Sequence, residues 1–146
     1  MAKMVPLIGS SQAGPLGAIH LPRLWSKVLM SAKGVLDAEY DECVTGFDQM
    51  VLDGLGLDRE QTLNYLKTDL PTYPQFEQWV LKQSGSGLGQ SVVDKSNQAI
   101  IDYLHPDADV ASISEAIGVN ADHSMKDALT LNILDDWNAL HKSLTG

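Results

Sequence analysis

Apolar residues in this chain recur at spacings of three and four and never in sustained alternation with polar ones. That pattern builds helices and gives no strand a buried face. Leu21, Leu24, Trp25, Val28, Leu29 and Ala32 draw the clearest stripe, with Pro22 suited to a first helical turn and Gly34 to an end. Phe47, Met50, Val51 and Leu55 form a shorter one, stopped by Gly54 and Gly56. Asp58 and Gln61 have capping-box spacing ahead of Leu63, Leu66 and Leu70, and Pro71 halts that helix. Pro74 opens the stripe of Phe76, Trp79 and Val80, which runs into the loop from Ser84 to Gly89.

In the second half, Val93, Asn97, Ile100 and Leu104 share a face that ends near His105 and Pro106. Ser112 and Glu115 have capping-box spacing before Ile113, Ala116 and Ile117, closed by Gly118. Ser124 is expected to cap a last helical region whose core face draws on Met125, Ala128, Leu129, Leu131, Leu134, Trp137 and Leu144. Asn132 and Asn138 interrupt that face, so a kink or two shorter helices are expected there. No repeat period marks a solenoid. The expected fold is all-α, a single domain over residues 18–146 of six or seven short, non-parallel helices. Residues 1–17, with Pro6, Gly9, Gly14, Pro15 and Gly17, form an irregular N-terminal arm laid over it.

Charge and motifs narrow the function. Nineteen acidic residues against ten basic ones give a formal net charge of -9, which repels phosphate backbones and anionic lipid, so nucleic acid is not an expected partner. No apolar run approaches the ~20 residues that span a bilayer, and the N-terminus lacks a signal-peptide pattern; a cytoplasmic protein is expected. Cys43 is the one cysteine, which leaves no internal disulfide and reads as a small buried thiol. His20, His105, His123 and His141 are scattered, with no pair at the i, i+4 spacing of a helical metal site, so no metal is expected. The loop after Ser84 lacks the lysine and hydroxyl of a phosphate loop. Neither a serine elbow nor a dinucleotide fingerprint occurs, and no cofactor is expected.

The segment His20-Leu21-Pro22-Arg23-Leu24-Trp25-Ser26-Lys27 places two cations one helical turn apart. Arg23 offers a planar fork for a carboxylate and Lys27 a compact charge, while His20 beside them titrates near neutral pH. Two readings follow. In the first, a small anionic organic molecule binds beside the 21–33 helix: Arg23 orients it, Lys27 acts as electrostatic stabiliser or base, and Tyr40 and Asp48 donate or relay a proton. His20, Trp25 and Asn97 complete the binding wall in that reading. In the second, Asp48 or the acidic residues around Tyr40 pair with the cations and fasten helices. The protein is then an interaction module, such as a homodimer, that meets its partner through an exposed tryptophan or its acidic surface. Asn97, inside an apolar stripe, must find partners for its amide, and anchoring a loop backbone would supply them.

Leu21-Pro22-Arg23 with Lys27, Gly34, Tyr40, Phe47-Asp48, Leu55-Gly56-Leu57-Asp58, Glu77-Gln78-Trp79-Val80 and Asn97 together resemble a bacterial family known as domain of unknown function 5069. The resemblance covers most of residues 16–100. Beyond it Leu134-Asp135-Asp136-Trp137-Asn138 only partly replaces the acidic, arginine-bearing ending that the family carries. It implies a small helical protein and no established reaction.

Overall fold

A computed structural model describes residues 3–85, 87–119 and 127–146. His123, Ser124 and Met125 lie outside the described residues. Among those described, seven helices and no sheet make an all-α fold: α1 (Leu21–Ala32), α2 (Phe47–Gly54), α3 (Arg59–Asp69), α4 (Tyr73–Ser84), α5 (Gln90–Ile101), α6 (Asp107–Ala116) and α7 (Ala128–Thr145).

α1 occupies the centre and packs on α2, α3 and α4. Its stripe of Leu21, Leu24 and Val28 is fully buried against Val51 and Leu52 of α2, Leu66 of α3 and Phe76 and Val80 of α4. α2 in turn packs on α5, α5 on α7 and α7 on α6. Residues before α1 are irregular and fastened by polar bonds. The Leu16 amide donates to Glu77, and Asn97 accepts from the Ile19 amide at 3.0 Å while donating to the Gly17 carbonyl at 2.8 Å. Asn97 therefore anchors a loop, which satisfies its amide within the apolar face of α5.

Gly54 ends α2 where that helix crosses α5. A Cβ there would stand 2.4 Å from Ser96 Oγ and 3.3 Å from Ser96 Cα, so the glycine serves close helix approach, whereas Gly56, at φ +71°, makes the turn that stops the helix. Gly54→Ala is expected to cost about 1–3 kcal/mol from overpacking, partly offset by roughly 1 kcal/mol of helix propensity. In urea unfolding, adding Ser96→Gly should recover part of the loss, because the two sites share one contact.

Local expectations fail where helix starts compete. Asp58 caps α3 by accepting from the Gln61 amide, but the reciprocal capping box lies at Thr72 and Gln75, ahead of Pro74. α6 begins at Asp107, five residues before the expected Ser112 cap, with Asp107 and Asp109 in a first turn where the helix dipole favours acids. Ser112 and Ser114 are consequently interior to the helix. α7 is one continuous helix through Asn132 and Asn138, with Asp127 accepting from the Thr130 amide at its cap. Trp137, expected in the core, is 63% exposed, because the buried side of α7 is set by Ala128, Leu131 and Asp136.

Candidate functional site

The first turn of α1 is held by a residue in an unusual conformation. His20, its N-cap, has φ 69° in the left-handed region, where a non-glycine residue is strained. Its amide donates to the Gln12 carbonyl at 3.2 Å and its carbonyl accepts from the Leu24 amide, so the backbone is tied on both sides. Its ring is 3% exposed and makes no cap hydrogen bond. It turns instead to α2, where Nε2 lies 2.6 Å from Asp48 Oδ1.

Asp48, in the first turn of α2, is fully buried and accepts three hydrogen bonds. Besides His20 these come from Lys27 Nζ at 2.5 Å and the Val44 amide at 2.8 Å, both to Oδ2. Burial works to raise its carboxyl, and the hydrogen bond from His20 together with the charge and hydrogen bond of Lys27 overcome that and hold it below the usual carboxylate range. An ionised carboxylate only accepts, so the proton in the 2.6 Å bond sits on Nε2 of His20. Burial also lowers the imidazole against the pull of Asp48, which keeps the ring neutral. Nδ1 of His20 is then a lone-pair acceptor, and it is covered and without a partner.

Arg23, one turn ahead of Lys27, diverges from it. Its guanidinium forks onto Asp136 of α7 at 2.8 and 2.9 Å, and Nη1 also donates to the Ile8 carbonyl at 2.9 Å. The Tyr40 hydroxyl donates to the same Asp136 at 3.3 Å. Burial raises the Asp136 carboxyl against the pull of Arg23, and burial followed by the Asp136 charge raises the Tyr40 phenol, so Tyr40 is a neutral hydrogen-bond donor at physiological pH. Cys43, nearby, is a buried thiol that burial and then the Asp48 charge push up, away from thiolate chemistry.

These groups meet at a pocket of about 560 Å³, a size typical of small-molecule sites. It opens between the first turn of α1, the segment before α2, the chain entering α6 and one side of α7. Of the seven residues expected at a site, His20, Arg23, Lys27, Tyr40 and Asp48 line it. Trp25 and Asn97 do not: the Trp25 indole donates to the Pro71 carbonyl at 2.9 Å and packs edge-on to Tyr73, and Asn97 is spent on the loop at residues 17–19. The two cations reach the pocket already paired, Arg23 with Asp136 and Lys27 with Asp48. The acidic residues around Tyr40 do not pair with them; Glu42 instead pairs with Lys67 and accepts from Ser31.

The sequence reading missed Asp136, Tyr103, His105 and Asn132 as wall residues. His105 Nε2 lies 3.1 Å from Asn132 Oδ1, a contact between the α6 approach and α7. The one available signal for Asp136 is that a buried arginine needs a carboxylate. Among the described residues no cluster of His, Cys, Asp and Glu has metal-site geometry, and no helix is long and apolar enough to cross a membrane. No family model, curated protein or solved structure matches the chain.

The sign of the His20 shift sets a pH dependence. An imidazole lowered on folding leaves the unfolded chain binding the proton more readily, so its contribution to stability is intact above about pH 6.5 and is lost as pH falls below that. Urea unfolding from pH 7.5 to 5 should show a decline of at most roughly 1.4 kcal/mol per pH unit from this group. His20→Gln should flatten it.

Proposed function

We propose that this protein binds a small polar organic molecule in the pocket beside α1 and that His20 exchanges a proton with it. The observation that carries the reading is the state of His20. It combines a left-handed backbone, a buried neutral ring and an unpartnered Nδ1, on a wall backed by the Asp48 and Lys27 charges. Each of these costs stability, and such costs concentrate where function requires them. Asp48 holds the tautomer and stabilises the imidazolium formed when Nδ1 takes a proton; Lys27 keeps Asp48 ionised. Tyr40 positions the ligand, and the Arg23 fork holds Asp136 in the wall beside it. The likeness to the domain of unknown function 5069 family belongs to the same proposal, carried by motif residues of which Arg23, Lys27, Tyr40 and Asp48 lie on this wall.

Proton abstraction from 5-nitrobenzisoxazole, a neutral ring that releases a coloured phenolate, tests the base directly. The full chain should open it faster than an equal concentration of imidazole, and His20→Gln, shown folded by circular dichroism, should lose the excess. A rate equal to imidazole in solution overturns the proposal.

A second reading, an interaction module or homodimer, is favoured by one observation. Leu7, Trp137, Leu140 and Leu144 are exposed, and the last three share one face of α7 turned from the core. It predicts a sedimentation coefficient that falls on dilution and a Trp137→Glu variant that stays monomeric. A coefficient independent of concentration removes it.

A further inference from the structure

The charge of the pocket wall identifies the class of molecule it suits. Six carboxylates line it, from Glu39, Asp41, Asp48, Asp109, Asp135 and Asp136, against the two cations Arg23 and Lys27. Asp48 and Asp136 lie inside and are matched by Lys27 and Arg23; Asp109 stands 4.0 Å from His105 Nδ1. Glu39, Asp41 and Asp135 sit exposed at the rim, and among the described residues no cation lies within salt-bridge distance of them. The pocket's two cations are therefore sequestered at its base, while acid without an ion pair faces the opening; Lys142 of α7 lies near Glu39 and Asp135, beyond ion-pair distance. Between them are aromatic rings: Tyr40, half-buried, Tyr103, 44% exposed, and Phe47, packed edge-on to Tyr103 at 5.9 Å. Carboxylates beside aromatic rings are the chemistry that receives organic ammonium groups, through charge and cation–π attraction. His20 lines the same pocket, and its Nδ1 lacks a partner while being covered in this structure, so a ligand group reaches it only if the wall around the ring shifts.

We infer that the pocket takes an amine-bearing organic cation, its ammonium group against Glu39, Asp41 and Asp135 and the rings of Tyr40 and Tyr103, its uncharged part toward Phe47 and His20. This rests on the reading of the pocket as a small-molecule site and adds the ligand's charge.

Three probes that share a phenylethyl frame and differ in charge separate the possibilities: phenethylamine, 2-phenylethanol and 3-phenylpropionate. In titrations of the nitrogen-15-labelled full chain, phenethylamine should shift the amides of Tyr40, Phe47 and Tyr103 with a Kd about tenfold or more below those of the alcohol and the acid. The isosteric triple variant Glu39→Gln, Asp41→Asn, Asp135→Asn should erase the amine's advantage and leave the alcohol's Kd unchanged. Because any cation is drawn to an acidic protein, the control triple Glu60→Gln, Asp69→Asn, Glu115→Gln removes the same charge away from the pocket and should leave the amine's Kd intact. Equal weakening by both triples overturns the inference. An acid that binds the pocket as tightly as the amine overturns the ligand class and leaves the small-molecule site standing; no shift at the wall with any probe overturns both.

Discussion

Asp48→Ala is expected to destabilise the fold by about 3–5 kcal/mol, the range for breaking a buried ion pair from one side. The carboxylate serves three donors at once, and its loss leaves the buried Lys27 ammonium, the buried His20 Nε2 and the Val44 amide without their partner. The lysine carries the largest cost, since a buried ammonium without a counter-charge must either drag water inward or lose its proton. Against a total stability of about 5–15 kcal/mol for an ordinary domain, this change brings the chain near the unfolding threshold. Urea unfolding at low temperature is the appropriate readout. The compensated variant Lys27→Met with Asp48→Leu should recover much of the loss, because an apolar pair requires no desolvation of charge. A single Asp48→Ala variant within about 1 kcal/mol of the parent would mean the three donors find water, and the buried cluster described above would be wrong.

Arg23→Met is expected to cost about 3 kcal/mol at neutral pH, somewhat less than the loss at Asp48. The guanidinium joins three separate parts of the chain: α1, the Asp136 carboxylate on α7 and the Ile8 carbonyl of the N-terminal segment. Methionine fills most of the volume and supplies none of these bonds. Asp136 limits the damage. Its carboxyl is raised by burial even with Arg23 beside it, so without the arginine it protonates more readily and avoids standing charged in the interior. The difference between Arg23→Met and the parent should therefore shrink as pH falls, opposite in direction to the His20 effect. Amide exchange should rise along α7 and near Ile8 together, the signature of one fastener holding two segments. If only one of them loosens, Arg23 does not couple them.

What the sequence made legible follows from how far apart the partners are. The α1 stripe, the stop at Gly34, and the possible pairing of Lys27 with Asp48 were all readable, because periodicity and local charge are written within a few turns. Arg23 and Asp136 stand 113 residues apart, and no spacing rule joins them. The same limit hid the reason for Gly54, a glycine that reads as a helix stop and in fact makes room for Ser96 of α5. Capping boxes misled at Ser112 for a different reason: the Ser-x-x-Glu spacing also occurs inside helices, and the acids at Asp107 and Asp109 had already begun α6. Trp137 was read as core by its position in an apolar stripe, yet α7 carries apolar residues on two sides and buries the other one. For the site, residue chemistry pointed to five wall residues, while the depth at which their charges are paired emerged only from the packing.

The chemistry of the pocket wall turns on one proton. Nitrogen-15 NMR of the His20 ring at pH 7 reads it, since the two ring nitrogens report separately whether each carries hydrogen. The structure requires a neutral ring protonated at Nε2, with Nδ1 bare, persisting below the pH at which an exposed imidazole titrates. An imidazolium at pH 7, protonated on both nitrogens, would contradict it: His20 would then be a third cation locked to Asp48, with no lone pair to offer a ligand.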